Sequence, residues 1–303
     1  MKAENVIEAS GLAKNYGAVE AVRGVDLAVP RGSIYGFLGR NGAGKTTTIK
    51  MLLGMVTPTG GDGRVLGRDI RDAEEGVEIR RRTGFVSEDK GLYDFMSVEQ
   101  LVRFTRPFFP AWRKDLEEKY ARAFDLPAHR KVKALSKGMR TKLALLVALA
   151  RGAELLILDE PSEGLDPAMT EELLGVLAGL AASEGVTIFF SSHQIAEVEQ
   201  IADRVCVINH GRVCVEGEID ALKESYRRVN LVYGEGSVPR ASFRTPGVVR
   251  SKADGRWLTL LVSGNADRIA AEARADGALT ADVLPVGLKE IFLETVKEES
   301  REP

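Results

Sequence analysis

Three short stretches carry residue types that do phosphate chemistry. "GRNGAGKTT", Gly39 to Thr47, fits G-x-x-x-x-G-K-[ST] at Gly39, Gly44, Lys45 and Thr46. Glycines, with Gly42 between, let the backbone bend so that consecutive N–H groups converge on phosphate oxygens. The following "TTTIKMLLG" reads as a helix whose unsatisfied N–H groups and partial positive charge meet at the same spot. The candidate nucleotide contacts are therefore Gly39, Asn41, Gly42, Ala43, Gly44, Lys45, Thr46 and Thr47. Lys45 is placed to reach β- and γ-phosphates, and the Thr46 hydroxyl to hold Mg²⁺.

"LLILDEPSEGLD" supplies the complement. Four apolar residues, Leu155 to Leu158, place Asp159 at the C-terminal end of a buried strand, where open α/β sheets bind ligands. Asp159 approaches the metal through a water, and Glu160 projects past the strand end to polarise an attacking water. "VTIFFSSHQ" repeats the arrangement and ends in His193, on the same expected side. His129 and His210 carry no such context and are read as structural.

These groups need a scaffold. "NVIEAS", "VDLAV" and "SIYGFL" read as strands, the last ending at Leu38. "LLIL" and "VTIFF", each flanked by helical patterns, favour a parallel sheet with helices packed on it. Residues from about 88 to 150 read as a helical insertion. Ser97 and Gln100 form a capping box for a helix that Pro107 ends, and Trp112, Leu116, Tyr120 and Phe124 recur every four residues as a packing face. After a composition shift near Lys223 to Asn230, the segments "RWLTLLVS", "ADRIAAEARADG", "LTADVLPV" and "GLKEIFLETVKEE" alternate strand and helix, enough for a small second α/β domain. The expected division is 1–225 and 226–303.

A net charge of −2 lacks the basic excess of a nucleic-acid binder, so no nucleic-acid partner is expected. No apolar run is long enough to span a bilayer, and "MKAENVIEAS" has no stretch to serve as a signal peptide, which predicts a cytosolic protein. Cys206 and Cys214 flank an expected hairpin; in a reducing compartment they read as two small apolar residues rather than a cross-strand disulfide.

One helix start, "ALSKGMRTKLALL", has Ser136 as N-cap and Leu143, Leu146 and Val147 at helical spacing. Its place among the other motifs matters, because together they resemble the nucleotide-binding subunit of an ATP-binding cassette (ABC) transporter over roughly residues 5 to 222. The resemblance implies a P-loop NTPase (RecA-like) α/β core with an antiparallel β subdomain and the helical insertion. It implies that Tyr16 stacks on adenine, that Glu160 is the catalytic base, that His193 is the switch histidine, and that Asp166 lies in a loop touching a partner subunit. "LSKGM" matches the family signature, usually L-S-G-G-Q, which binds the γ-phosphate held by the other subunit. On that basis Ser136, Lys137 and Gly138 serve a second copy's ATP, a helix-end anion site of the same physical type.

Two motifs depart from the pattern, the signature and the loop that holds Glu88. Lys137 replaces the middle glycine, adding positive charge near a phosphate, and Met139 replaces the glutamine. Glu88 stands where the family has a Mg²⁺-contacting glutamine. The resemblance implies ATP and Mg²⁺ as ligands, a separate membrane permease docking near Glu88 to Met96, location at the cytoplasmic face of a membrane, and export. The tail reads as a packing or dimer-supporting module ahead of a ligand sensor. The competing readings are a soluble ABC ATPase acting on ribosomes or DNA, which usually carries two cassettes or a long coiled coil, and a non-catalytic scaffold, which the presence of Glu160 and His193 disfavours.

Overall fold

The computed structural model describes residues 4–234 and 242–296, and divides into two compact units, 1–213 and 214–303. In the first unit, β1 (Asn5–Tyr16) and β2 (Val19–Pro30) form a long antiparallel hairpin, followed by β3 (Ile34–Leu38) and α1 (Lys45–Leu52). Next come β4 (Gly60–Val65), β5 (Arg68–Asp69), α2 (Ala73–Arg82) and β6 (Thr83–Val86). The helical insertion follows as α3 (Val98–Thr105), α4 (Lys114–Ala123) and α5 (Lys137–Ala150). The core then resumes with β7 (Leu155–Asp159), α6 (Pro167–Glu184), β8 (Thr187–Ser192), α7 (Ile195–Ile201) and β9 (Arg204–Asn209), and the unit boundary falls within the next strand, β10 (Arg212–Glu218).

Two sheets result. The antiparallel one has order β2-β1-β4-β5, and the six-stranded one has order β10-β9-β3-β8-β7-β6, with β9, β3, β8, β7 and β6 parallel. Although the whole helical insertion separates β6 from β7 in sequence, the two strands are neighbours. The insertion therefore leaves the sheet unbroken. Every residue of β3, β7 and β8 is buried, as the unbroken apolar runs require of strands covered on both faces. Tyr35, Phe37 and Phe189 meet at ring distances of 5.4–5.6 Å, each fully buried side chain contributing about 1.5–3 kcal/mol of apolar transfer.

The capping box at Ser97 and Gln100 is present in both directions, and α3 passes at Arg106–Phe108 into a single 3₁₀ turn around Pro107. The four-residue stripe holds for Leu116, Tyr120 and Phe124, all buried, but not for Trp112. Arg113 is the N-cap of α4, so Trp112 precedes the helix and donates its indole N–H to Glu117 at 2.6 Å. A side-chain partner, rather than helical periodicity, places the indole. Helix α5 is buried around most of its circumference, including Leu143 and Leu146, because it packs against α3, α4 and β6 together.

The second unit contains α8 (Ile219–Ser225), β11 (Tyr226–Tyr233), β12 (Val248–Asp254), β13 (Trp257–Ser263), α9 (Ala266–Ala275), β14 (Ala278–Pro285) and α10 (Leu288–Val296). Its sheet is antiparallel, of order β12-β13-β11-β14, over a core that includes Val229, Leu231, Leu260 and Ile269. The observed division lies ahead of the expected one at 225/226, since α8 packs on β11 and α10 and so belongs to this unit. The last residues of the expected terminal helix, 297–299, lie outside the described residues. Cys206 and Cys214 are not joined in a disulfide, and Cys206 is buried.

Candidate active site

The parallel strands bring their C-terminal ends to one edge. Leu38 is level with Ser192, and Asp159 with Ser191, so the segments after β3, β7 and β8 emerge side by side. The Gly39 N–H donates to the Ser192 carbonyl at 3.1 Å, tying the glycine-rich loop to the β8 terminus. That loop turns into α1 through Gly44, whose φ of +105° is left-handed and whose added Cβ would lie 2.6 Å from the Ala21 carbonyl oxygen. Only glycine satisfies both demands. No side chain caps α1, so its first N–H groups are left to a ligand.

A cavity of about 470 Å³ lies over this helix start. Asn41, Gly42, Gly44, Lys45, Thr46 and Thr47 form its floor, and Glu88, Glu160 and Glu163 form one side. Val19, Glu20, Ala21 and Arg23 of β2, together with His210 of the β9–β10 turn, line the rest. Lys45 is 6% exposed, and its ammonium donates to the carbonyls of Gly39 (2.7 Å) and Arg40 (3.2 Å) while pairing with Glu160 Oε1 at 3.0 Å. Glu160 Oε2 shares a 2.9 Å hydrogen bond with His193 Nδ1, and Glu163 approaches the same ring nitrogen at 3.8 Å. Glu160 itself sits at φ +47°, a left-handed backbone that costs a non-glycine residue about 1–2 kcal/mol. Its N–H donates to Ser191 Oγ at 3.0 Å, and that hydroxyl in turn donates to Asp159 Oδ1 at 2.7 Å.

A second lysine stands behind this pair. Lys90, in the loop after β6, is buried, and its ammonium donates to the Glu160 and Pro161 carbonyls at 3.4 and 3.3 Å. Burial pushes it down to about 8, reinforced by the nearby Lys137 charge and opposed by Glu88, Asp159 and Glu160.

Of the residues singled out from sequence, Lys45, Thr46, Thr47, Asn41, Gly42, Gly44, Glu88 and Glu160 line the cavity, and His193 joins them through Glu160. Asp159 is 2% exposed and outside the lining, joined to the Glu160 N–H by two hydrogen bonds through Ser191, while Ala43 is buried beneath the loop. Tyr16 is outside the lining, half exposed, with the Lys14 ammonium 5.1 Å from its ring centroid. Ser136 and Lys137 are exposed outside the lining, and Gly138 is buried. Ser136 caps α5, accepting from the Met139 N–H at 3.2 Å, and Asp166 caps α6 in the same way through Met169. Gly138 lets the two helix starts approach, since a Cβ there would fall within 1.7 Å of Met169 Cε. Sequence reasoning missed Arg23, Glu163, Lys90 and His210. His210 has φ +45°, and Arg23 donates its N–H to the Gly211 carbonyl at 2.7 Å, a long-range turn contact with no local signal.

The donor set suits a hard cation, because Thr46 and Glu88 bring oxygen ligands to the cavity that holds the phosphate-binding helix start. A family model described as "ABC transporter" matches residues 22–163. The bacitracin transport ATP-binding protein BcrA of Bacillus licheniformis is 37% identical, over 74% of this chain and 73% of that protein. The Nod factor export ATP-binding protein I of Cupriavidus pinatubonensis is 33% identical, over 98% of this chain and 92% of its own length. This chain belongs to the ABC transporter ATP-binding family. A solved ATP-binding subunit of an ABC transporter superposes with a TM-score of 0.65 and 29% identity, covering 72% of this chain and 92% of that one. The chain is accordingly an ABC ATPase subunit, and its mixed α/β architecture is that of the family's cassette.

Proposed function

We propose that this ABC ATPase powers export through a separate membrane-spanning permease, and that two copies close around two ATP molecules. The observation that carries the reading is the division of labour on the surface. Lys45 and Glu160 line one cavity and His193 is bonded to Glu160, while Ser136 and Lys137 stand exposed outside the lining, at a helix start able to receive an anion from another molecule. Export follows the Nod factor relative, whose match runs over nearly the whole chain. Among the described residues no helix is long and apolar enough to cross a membrane, so the conducting path is assigned to a partner and this chain to the cytoplasmic face.

In the cavity, Lys45 pairs with Glu160 until a triphosphate arrives. The phosphates then take over the lysine charge, and the loop N–H groups and α1 supply the remaining positive field. Freed from Lys45, Glu160 accepts a proton from the attacking water, with His193 holding the carboxylate in place. Thr46 and Glu88 would hold Mg²⁺, with Asp159 behind them as a further carboxylate, and the ion would neutralise phosphate charge. Tyr16 supplies the adenine contact. The permease docks on the exposed aromatic cluster of Tyr93, Phe95, Phe104 and Phe108, whose neighbouring rings lie 5.4–5.9 Å apart at the head of the insertion. Exposed aromatic surface of this kind marks a protein contact.

Glu160→Gln tests the assignment. The variant should bind ATP by calorimetry and lose hydrolysis by about a hundredfold or more, within the range a general base contributes. Turnover at the wild-type rate would remove Glu160 from the chemistry.

A further inference from the structure

Glu160 must hold an unfavourable left-handed backbone and still aim its carboxylate, so its peptide groups need fixing from several directions. β8 fixes the N–H through Ser191, and the turn that follows fixes the carbonyl through the Glu163 N–H at 3.1 Å. The remaining tie comes from the loop after β6. There Lys90 is itself left-handed at φ +60°, closes a turn with its N–H on the Ser87 carbonyl at 2.9 Å, and sends its side chain inward. Among the described residues no carboxylate pairs with its ammonium in an ion pair. The ammonium is spent on two consecutive carbonyls, those of Glu160 and Pro161. A buried cation without a paired carboxylate costs several kcal/mol, so packing alone would favour an apolar side chain here.

We propose that Lys90 is a positioning residue for ATP hydrolysis: it clamps the Glu160–Pro161 backbone and so sets the aim of the Glu160 carboxylate from the loop of residues 87–96. The inference rests on Glu160 being the base. The same loop carries Glu88 in the cavity wall and Tyr93 and Phe95 on the exposed surface. A shift of that loop is thereby transmitted to the base through one side chain. Binding of the triphosphate does not pass through Lys90, which lies outside the cavity lining.

The test compares Lys90→Met and Lys90→Arg in the full-length protein by steady-state Mg-ATP hydrolysis and thermal unfolding. Lys90→Met should lower kcat about tenfold, the scale of a lost charge-assisted hydrogen bond. KM for ATP should stay within about twofold, the pattern of an interaction that serves the chemical step rather than binding. Its Tm should not fall, since an apolar chain of similar volume replaces a buried charge. Lys90→Arg, which keeps charged donors, should recover most of the loss. An unchanged kcat in Lys90→Met would overturn the proposal, as would losses of kcat that track a lower Tm or a raised KM. Should the methionine variant fail to fold, the arginine variant decides: near-normal kcat supports the clamp, and a tenfold loss at normal Tm overturns it. Glu160→Gln serves as control, because hydrolysis by that variant defeats the base assignment, whereas a dead Glu160→Gln beside a normal Lys90→Met defeats only the clamp.

Discussion

The ion pair between Lys45 and Glu160 sets the energetics of the site at the residue scale. Both side chains are about nine-tenths buried, so neither charge is cheaply left alone. Replacing Glu160 by Gln strands the lysine in the nucleotide-free protein and should cost about 3 kcal/mol, the low end for breaking a buried pair. Mg-ATP restores a counter-charge, so the variant should regain more Tm from nucleotide than wild type does. Differential scanning of both proteins with and without Mg-ATP reads this directly, and equal nucleotide-free Tm values would contradict it. Lys45→Ala should instead abolish nucleotide binding by calorimetry, because the phosphates lose their main cation; unchanged affinity would count against the cradle. The glycine-lysine stretch was legible in sequence because each of its roles is local. Lys90 was not, because its partners lie in a different strand–loop unit and nothing in "EDKGLY" announces an inward-pointing ammonium.

At the scale of elements, the sheet edge that carries the chemistry is balanced by ties at the opposite ends of the strands. Glu154, just ahead of β7, accepts from Arg82 at 2.6 Å and pairs with Arg31 at 3.5 Å. The Arg82 guanidinium holds this carboxyl below its ordinary 4.5. A depressed acid contributes stability above its unfolded value and loses it as pH falls through the lower folded value. Glu154→Gln should therefore lower the urea midpoint at neutral pH, by less than about 1 kcal/mol for so exposed a pair. The gap should close as pH is stepped down below 4.5, and a gap independent of pH would contradict the account. Docking belongs to this scale too. Phe95→Ser with Phe108→Ser should reduce co-sedimentation with permease-containing membranes severalfold at unchanged Tm, in line with the loss of aromatic contact area; full retention on the membrane would move the interface elsewhere. Strands β3, β7 and β8 were readable because both faces are covered and the apolar runs are unbroken. The long β1–β2 ladder and β12 were not read in full, because their mixed burial patterns blur the alternation; β11 alternates at Val229, Leu231 and Tyr233 but follows a charged start, Arg227 and Arg228.

For the whole molecule, the sequence singled out the cavity groups of the glycine-lysine loop with Glu88 and Glu160, but passed over Glu163 inside its own motif and read His210, in the turn beside Gly211, as structural. The expected boundary at 225/226 and the division at 213/214 differ by α8, which packs on β11 and α10. What a single chain leaves open is the exposed start of α5. Ser136 is exposed and outside the lining of its own chain's cavity, so the proposed use of it on a phosphate calls for a second copy. The most direct measurement is the solution mass of Glu160→Gln, by light scattering, with and without Mg-ATP, beside Glu160→Gln carrying Ser136→Arg. The first should double its mass only with Mg-ATP, while the second binds ATP and keeps the mass of one chain. A Glu160→Gln protein that remains a monomer at saturating Mg-ATP, or a Ser136→Arg variant that dimerises as readily, would contradict a nucleotide shared between two chains.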